Sequence, residues 1–212
     1  MNDVIQKWKE LDLQSMDLIL CAGNSRASRG IAKFQQLTGA PKEAAEMTHV
    51  ASVAIAVEYP YYTKDPDLLM VQESTTLNEF SGKKGVQENY FDKWLPNYDG
   101  RVWVRKLEFE RDAKFHVTDK KFWKEHKDDP YESGIPGAFE LFFCAMRLHR
   151  FIPWYTPMET KEIHCTELVS KRLIAHGLMN EDVSVNRLPP WMWVSRIIRY
   201  MHCDVGEMIR IK

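Results

Sequence analysis

Short apolar runs separated by turn and capping residues dominate this chain. Asp17-Leu18-Ile19-Leu20-Cys21 predicts a buried strand, preceded by a short amphipathic N-terminal helix. Asn24 and Ser25 suit a helix start, Ile31, Phe34 and Leu37 recur at helical spacing, and Gly39 with Pro41 supplies the stop. Met47 to Val57 is a small and β-branched run that opens near His49 and predicts a second strand, and Leu68 to Glu73 predicts a third. Ser81 to Gly85 is turn-like, Tyr90 to Trp94 suggests a short helix, and Val102, Val104 and Leu107 alternate as in a strand.

Beyond these, the mixed-sign run Asp119 to Asp129 reads as a solvated helix, and Ala138 to Met146, entered through Pro136-Gly137, as a buried one. Leu168, Val169, Leu173 and Ile174 define a helix from Thr166 to His176 that Gly177 ends. Pro189-Pro190 starts an aromatic helix reaching about Tyr200, and Glu207 to Ile211 predicts a terminal strand. No repeat, low-complexity segment or linker interrupts residues 1–212, so a single domain is expected, and 212 residues with 44% hydrophobic content suffice for one substantial core.

Charge and cysteine usage narrow the function classes. A formal net charge of −1 removes the broad electrostatic attraction of a dedicated nucleic-acid binder, so no nucleic-acid partner is expected. Cys21, Cys144, Cys165 and Cys203 show no C-x-x-C spacing and suit reduced thiols, with Cys21 and Cys144 inside apolar runs that favour core packing. Residues 1–10 lack a continuous apolar segment and no run reaches membrane-spanning length, which leads to the expectation of no transmembrane segment and of a cytoplasmic protein, in a host cytoplasm if its source is a virus or phage.

Candidate chemistry centres on Cys165, placed in the first turn of a helix. Unpaired backbone N–H groups and the positive end of the helix dipole favour thiolate there, and a thiolate is a nucleophile at neutral pH. A cysteine hydrolase also needs a base on a rigid element, which His49 at a strand start supplies, and a group to orient the imidazole, for which Glu73 at the end of the next strand is the candidate. His164, although adjacent to Cys165, is not expected to be the base. His164-Cys165 and His202-Cys203 pair soft ligands, but adjacent helical residues diverge by about 100°, and no metal or other cofactor is expected.

These residues resemble a family. Met16-Asp17-Leu18-Ile19-Leu20 is similar to the G-D-L-I-L opening strand, Thr48-His49-Val50-Ala51 to the S-H-V-G box, and Cys165-Thr166-Glu167-Leu168-Val169 to the C-S-E-L-V box of circularly permuted NlpC-like proteins. Gln72-Glu73-Ser74 resembles the strand end that follows the histidine, and Pro130-Tyr131-Glu132-Ser133-Gly134 the Y-D-x-x-G turn before the cysteine helix. The order histidine, acid, cysteine is that of the permuted members. Met16 and Ala51 stand where the family has glycine, and Glu132 where it has aspartate.

The resemblance implies an α+β, papain-like fold in which an antiparallel sheet packs against the cysteine helix. It further implies a Cys165-His49-Glu73 triad that cleaves a peptide, isopeptide or peptidoglycan-type amide through an acyl-enzyme. A lipid acyltransferase or thioesterase acting on acyl substrates stays open on the same fold, as does a noncatalytic interaction protein. The Phe151-to-Tyr155 and Pro190-to-Trp193 aromatic groups suit core packing or a cleft lining.

Overall fold

A computed structural model describes residues 8–55, 68–75, 84–130, 163–183, 185 and 188–212. In chain order these form β1 (Leu18–Gly23), α1 (Arg26–Leu37), α2 (Lys42–Ala45), β2 (His49–Ile55), β3 (Leu69–Thr75), β4 (Gly85–Tyr90), α3 (Phe91–Asn97), β5 (Gly100–Glu108), α4 (Ala113–His126), α5 (Cys165–Ala175), α6 (Met192–Ser195), a 3-10 turn (Ile197–Tyr200) and β6 (Asp204–Arg210). The strands make one six-stranded sheet, order β4-β3-β2-β1-β5-β6, antiparallel at every pairing. The protein is therefore mixed α+β.

Alternation along the strands gives the sheet two apolar faces. Ile19, Cys21, Ala51, Val53, Val71, Val102 and Val104 pack with Phe91, Trp94 and Leu95 of α3 and with Trp8. Leu18, Leu20, Val50 and Leu107 point the other way, onto Phe115 of α4 and Val169 and Leu173 of α5. Helices thus cover both faces, which explains why the central strands read as apolar runs. β1 and β5 close tightly at Gly23↔Gly100. Gly100 has φ +154°, and a Cβ there would stand 2.2 Å from the Ala22 carbonyl oxygen, so only glycine fits.

The sheet forks at one end. β2 pairs with β1 from Leu18↔Ser52 to Cys21↔His49, but with β3 only from Ser52↔Gln72 to Ile55↔Leu69. Glu73, Ser74 and Thr75 pair instead with β4. The segment leading into α5 is held in this fork: Ser74 Oγ donates to the Ile163 carbonyl, and the Ile163 N–H donates to the Pro130 carbonyl at 2.9 Å. Helix α5 is locked further along by Arg172, whose side chain is 1% exposed. Its guanidinium holds Asp119 of α4 through two 2.7 Å bonds and Ser52 Oγ of β2 through a third of 2.7 Å.

Most predicted elements are present, with the helix cap at Ser25 confirmed by a 3.0 Å bond from the Ser28 N–H. Three expectations are corrected. Residues 85–90 form strand β4, and the following helix starts only at Phe91, because Val86, Gln87 and Asn89 pair with β3. The charged helix begins earlier, at Ala113, and is not wholly solvated: Phe122 and Trp123 are buried and Asp119 is the partner of Arg172. The expected aromatic helix after Pro190 is broken into α6 and the 3-10 turn. The predicted helix at 138–146, the turn at 131–134, the 151–155 aromatic group and Cys144 lie outside the described residues, as does most of the N-terminal helix.

Met16 has φ +77°, in the left-handed region that disfavours a side chain. Its N–H donates to the Val53 carbonyl at 2.8 Å, and its side chain, 1% exposed, fills the core on the α5 side. Burial of the thioether chain offsets backbone strain of order 1–3 kcal/mol.

Candidate active site

The fork brings together the three residues selected from the sequence. His49 opens β2 and shares a sheet face with its cross-strand partner Cys21. Glu73, near the end of β3, reaches the same region, and its Oε2 lies 2.8 Å from His49 Nε2. Cys165 is the first residue of α5 and is 6% exposed. Because Glu73 takes Nε2, the hydrogen bond between His49 and Cys165 falls to Nδ1. The backbone N–H of Val50, released from β3 by the fork, also donates to the Cys165 sulfur.

Electrostatics follow from this packing. Burial pushes the Cys165 thiol up, but the charge and hydrogen bond of His49, with smaller contributions from His164 and the Val50 N–H, hold it below the ordinary thiol value. Burial likewise pushes His49 down, yet the facing Cys165 sulfur and the Glu73 carboxylate carry the imidazole up to about 10. The favoured pair is thiolate and imidazolium. The other described cysteines go the opposite way: burial raises Cys21 well above its ordinary value, and raises Cys203 despite Arg111. Tyr98 caps the site on the Cys21 side, its ring 4.9 Å from that of Trp94, and burial beside Cys21 and Glu73 holds its hydroxyl protonated.

Two sets of supporting residues were not selected from the sequence. Glu73 Oε1 accepts from Gln87 Nε2 at 3.1 Å, Asn89 Nδ2 at 3.3 Å and Trp94 Nε1 at 3.1 Å. Four donors therefore surround one buried carboxylate, and they fix which oxygen faces His49. Gln87 and Asn89 share a face at strand spacing, a signal lost when 85–90 is not read as a strand. The second set is His164-Glu167-Lys171: His164 Nδ1 lies 3.1 Å from Glu167 Oε2, and Lys171 Nζ 2.7 Å from Glu167 Oε1. His164 is buried beside the nucleophile, at the cap of the same helix.

The second soft-ligand dipeptide is engaged elsewhere. His202 Nδ1 meets the Gly177 carbonyl at 3.1 Å, and its Nε2 meets Asn180 Oδ1 at 2.8 Å. Among the described residues no group of three or more His, Cys, Asp or Glu side chains is arranged to hold a metal ion, and no helix is long and apolar enough to cross a membrane.

No protein-family model matches the chain, and no curated protein matches it. Among solved structures, the metalloprotein yiiX from Escherichia coli O157:H7 is similar over 95% of this chain and 97% of that chain, at 15% sequence identity and a TM-score of 0.48.

Proposed function

We propose that this chain is a papain-like cysteine hydrolase of the circularly permuted NlpC-like kind, with Cys165 as nucleophile, His49 as general base and acid, and Glu73 as the group that orients His49. The reading rests above all on one observation: a single imidazole is bonded through Nε2 to a buried carboxylate at 2.8 Å and interacts with a thiol at a helix start. It gains support from the left-handed backbone at Met16, where the family motif carries glycine.

In this mechanism the Cys165 thiolate adds to the substrate carbonyl carbon, forming a C–S bond while the carbonyl electron pair moves to oxygen. Backbone N–H groups in the first turn of α5 are free of intrahelical bonds and oppose that negative charge. The tetrahedral intermediate collapses, the C–N bond breaks, and His49 gives its Nδ1 proton to the departing amine. Neutral His49 then takes a proton from water as the hydroxyl attacks the thioester, releasing the acid and restoring the thiolate. Throughout, Glu73 keeps the second ring nitrogen protonated, so the nitrogen facing sulfur is the one that exchanges the proton.

The test is labelling with a panel of thiol-reactive amide, ester and lipid probes, with the adduct located by mass spectrometry. Covalent adducts on Cys165 that require His49 support the proposal, and the preferred probe identifies the bond cleaved. Absence of any adduct on Cys165, with the thiol also inert to small alkylating agents, would reject it in favour of a noncatalytic protein.

A further inference from the structure

Helix α1 inverts the usual pattern of a surface helix. Its buried positions are polar: Ser28 and Gln35, the latter donating to the carbonyls of Ala45 at 2.7 Å and Met47 at 2.8 Å and accepting from the Trp191 N–H at 3.2 Å. Its outward stripe runs Arg26, Arg29, Lys33, Leu37, at spacings of three, four and four residues that keep all four on one face. Leu37 at its end is 78% exposed.

The charges break a second local rule. Two arginines occupy the first turn, where the helix dipole disfavours cations, and that turn carries no acid. Nor does the chain carry any acidic residue between Asp17 and Glu43. Among the described residues, Arg26, Arg29 and Lys33 form no ion pair that would account for their placement. A cationic stripe without ion-pair partners among the described residues, carrying an exposed leucine, is complementary to a surface that is anionic outside and apolar beneath.

We propose that α1 docks the protein on an anionic lipid surface, with Leu37 inserted among the acyl chains and Arg26, Arg29 and Lys33 against the headgroup phosphates. The position suits delivery to the site. α1 follows directly on β1, whose Cys21 is the cross-strand partner of His49, and the Gly23 N–H donates to Thr48 Oγ1 at 3.2 Å, next to His49. Docking does not depend on the hydrolase reading, since the surface exists whether or not Cys165 is reactive.

Cosedimentation of the full chain with phosphatidylcholine vesicles, with and without phosphatidylglycerol, tests this. Binding is expected only to the anionic vesicles and should weaken as salt rises. Each cation replaced by glutamine should weaken it about fivefold, and Leu37→Asp by about tenfold or more. These side chains are exposed, so far-UV circular dichroism and the thermal midpoint should match the parent and exclude unfolding as the cause. Three outcomes overturn the proposal: equal binding to both vesicle types or to neither; binding unchanged in Leu37→Asp and in the triple glutamine variant; or light scattering that shows a dimer which Leu37→Asp dissociates, making this face a contact between copies of the chain.

Discussion

Replacing Glu73 by glutamine separates the orienting role of this residue from its packing, because the side chain keeps its shape and loses one acceptor. Glutamine must choose between two orientations. With its oxygen towards His49, its NH2 faces Gln87, Asn89 and Trp94, and although the two amides can rotate, the indole N–H is donor only. A buried donor without an acceptor costs about 1–3 kcal/mol. With its oxygen towards those three groups, the NH2 faces His49 Nε2 and forces the ring proton onto Nδ1, the nitrogen that must receive the thiol proton.

The second orientation keeps more hydrogen bonds and should prevail. Glu73→Gln is then expected to remain folded, with a loss of about 1–2 kcal/mol as charge-assisted bonds become neutral ones. Cys165 should nevertheless alkylate about 100-fold more slowly at neutral pH, since each unit by which the thiol rises costs tenfold in thiolate. Hydrolysis should fall too, but less than in Cys165→Ala. Iodoacetamide kinetics followed by peptide mass spectrometry, beside urea unfolding, measure both quantities. If Glu73→Gln matched the parent alkylation rate through neutral pH, the assignment of tautomer control to Glu73 would be refuted.

Hydrolytic activity should have an acid limb below the ordinary thiol value, as Cys165 is protonated, and an alkaline limb near the His49 value of about 10. Stability from the raised His49 should be complete below its ordinary value of 6.5 and decline as pH rises towards about 10, which urea midpoints across that range will show. His164→Gln should move the acid limb upward and slow alkylation at neutral pH about tenfold, less than His49→Gln; an unchanged limb would leave His164 a helix cap only. Arg172→Met should cost about 3–5 kcal/mol in urea unfolding, because it removes the buried guanidinium from the half-buried Asp119 carboxylate and leaves that carboxylate only Ser15 and His176 among the described residues, and Asp119→Asn in the same chain should recover part of the loss.

The sequence singles out the three residues that the site brings together because each stands at or near a boundary that it marks strongly: a strand start at His49, the last part of a strand at Glu73 and a helix start at Cys165. Order and element type, however, do not reveal the fork. Its cause is an unpaired stretch of β2 and β3 closed by Ser74 and Ile163, contacts between residues 89 positions apart. Strand β4 was obscured because between Gly85 and Tyr90 only Val86 is apolar, while Gln87 and Asn89 serve Glu73 rather than a hydrophobic core. Asp119 was hidden for a similar reason. Within a charged run nothing distinguishes the acid that meets a buried arginine from its solvated neighbours, since that arginine lies 53 residues away.

The central claim, that His49 turns Cys165 into the reactive thiol, is tested most directly by site-resolved alkylation rates measured against pH in the parent and in His49→Gln. Cys165 should react ahead of Cys21 and Cys203 in the folded parent, with an inflection below the ordinary thiol value, and His49→Gln should carry that inflection above it. Faster reaction at Cys203 or Cys21, or an inflection at Cys165 indifferent to His49, would contradict the account.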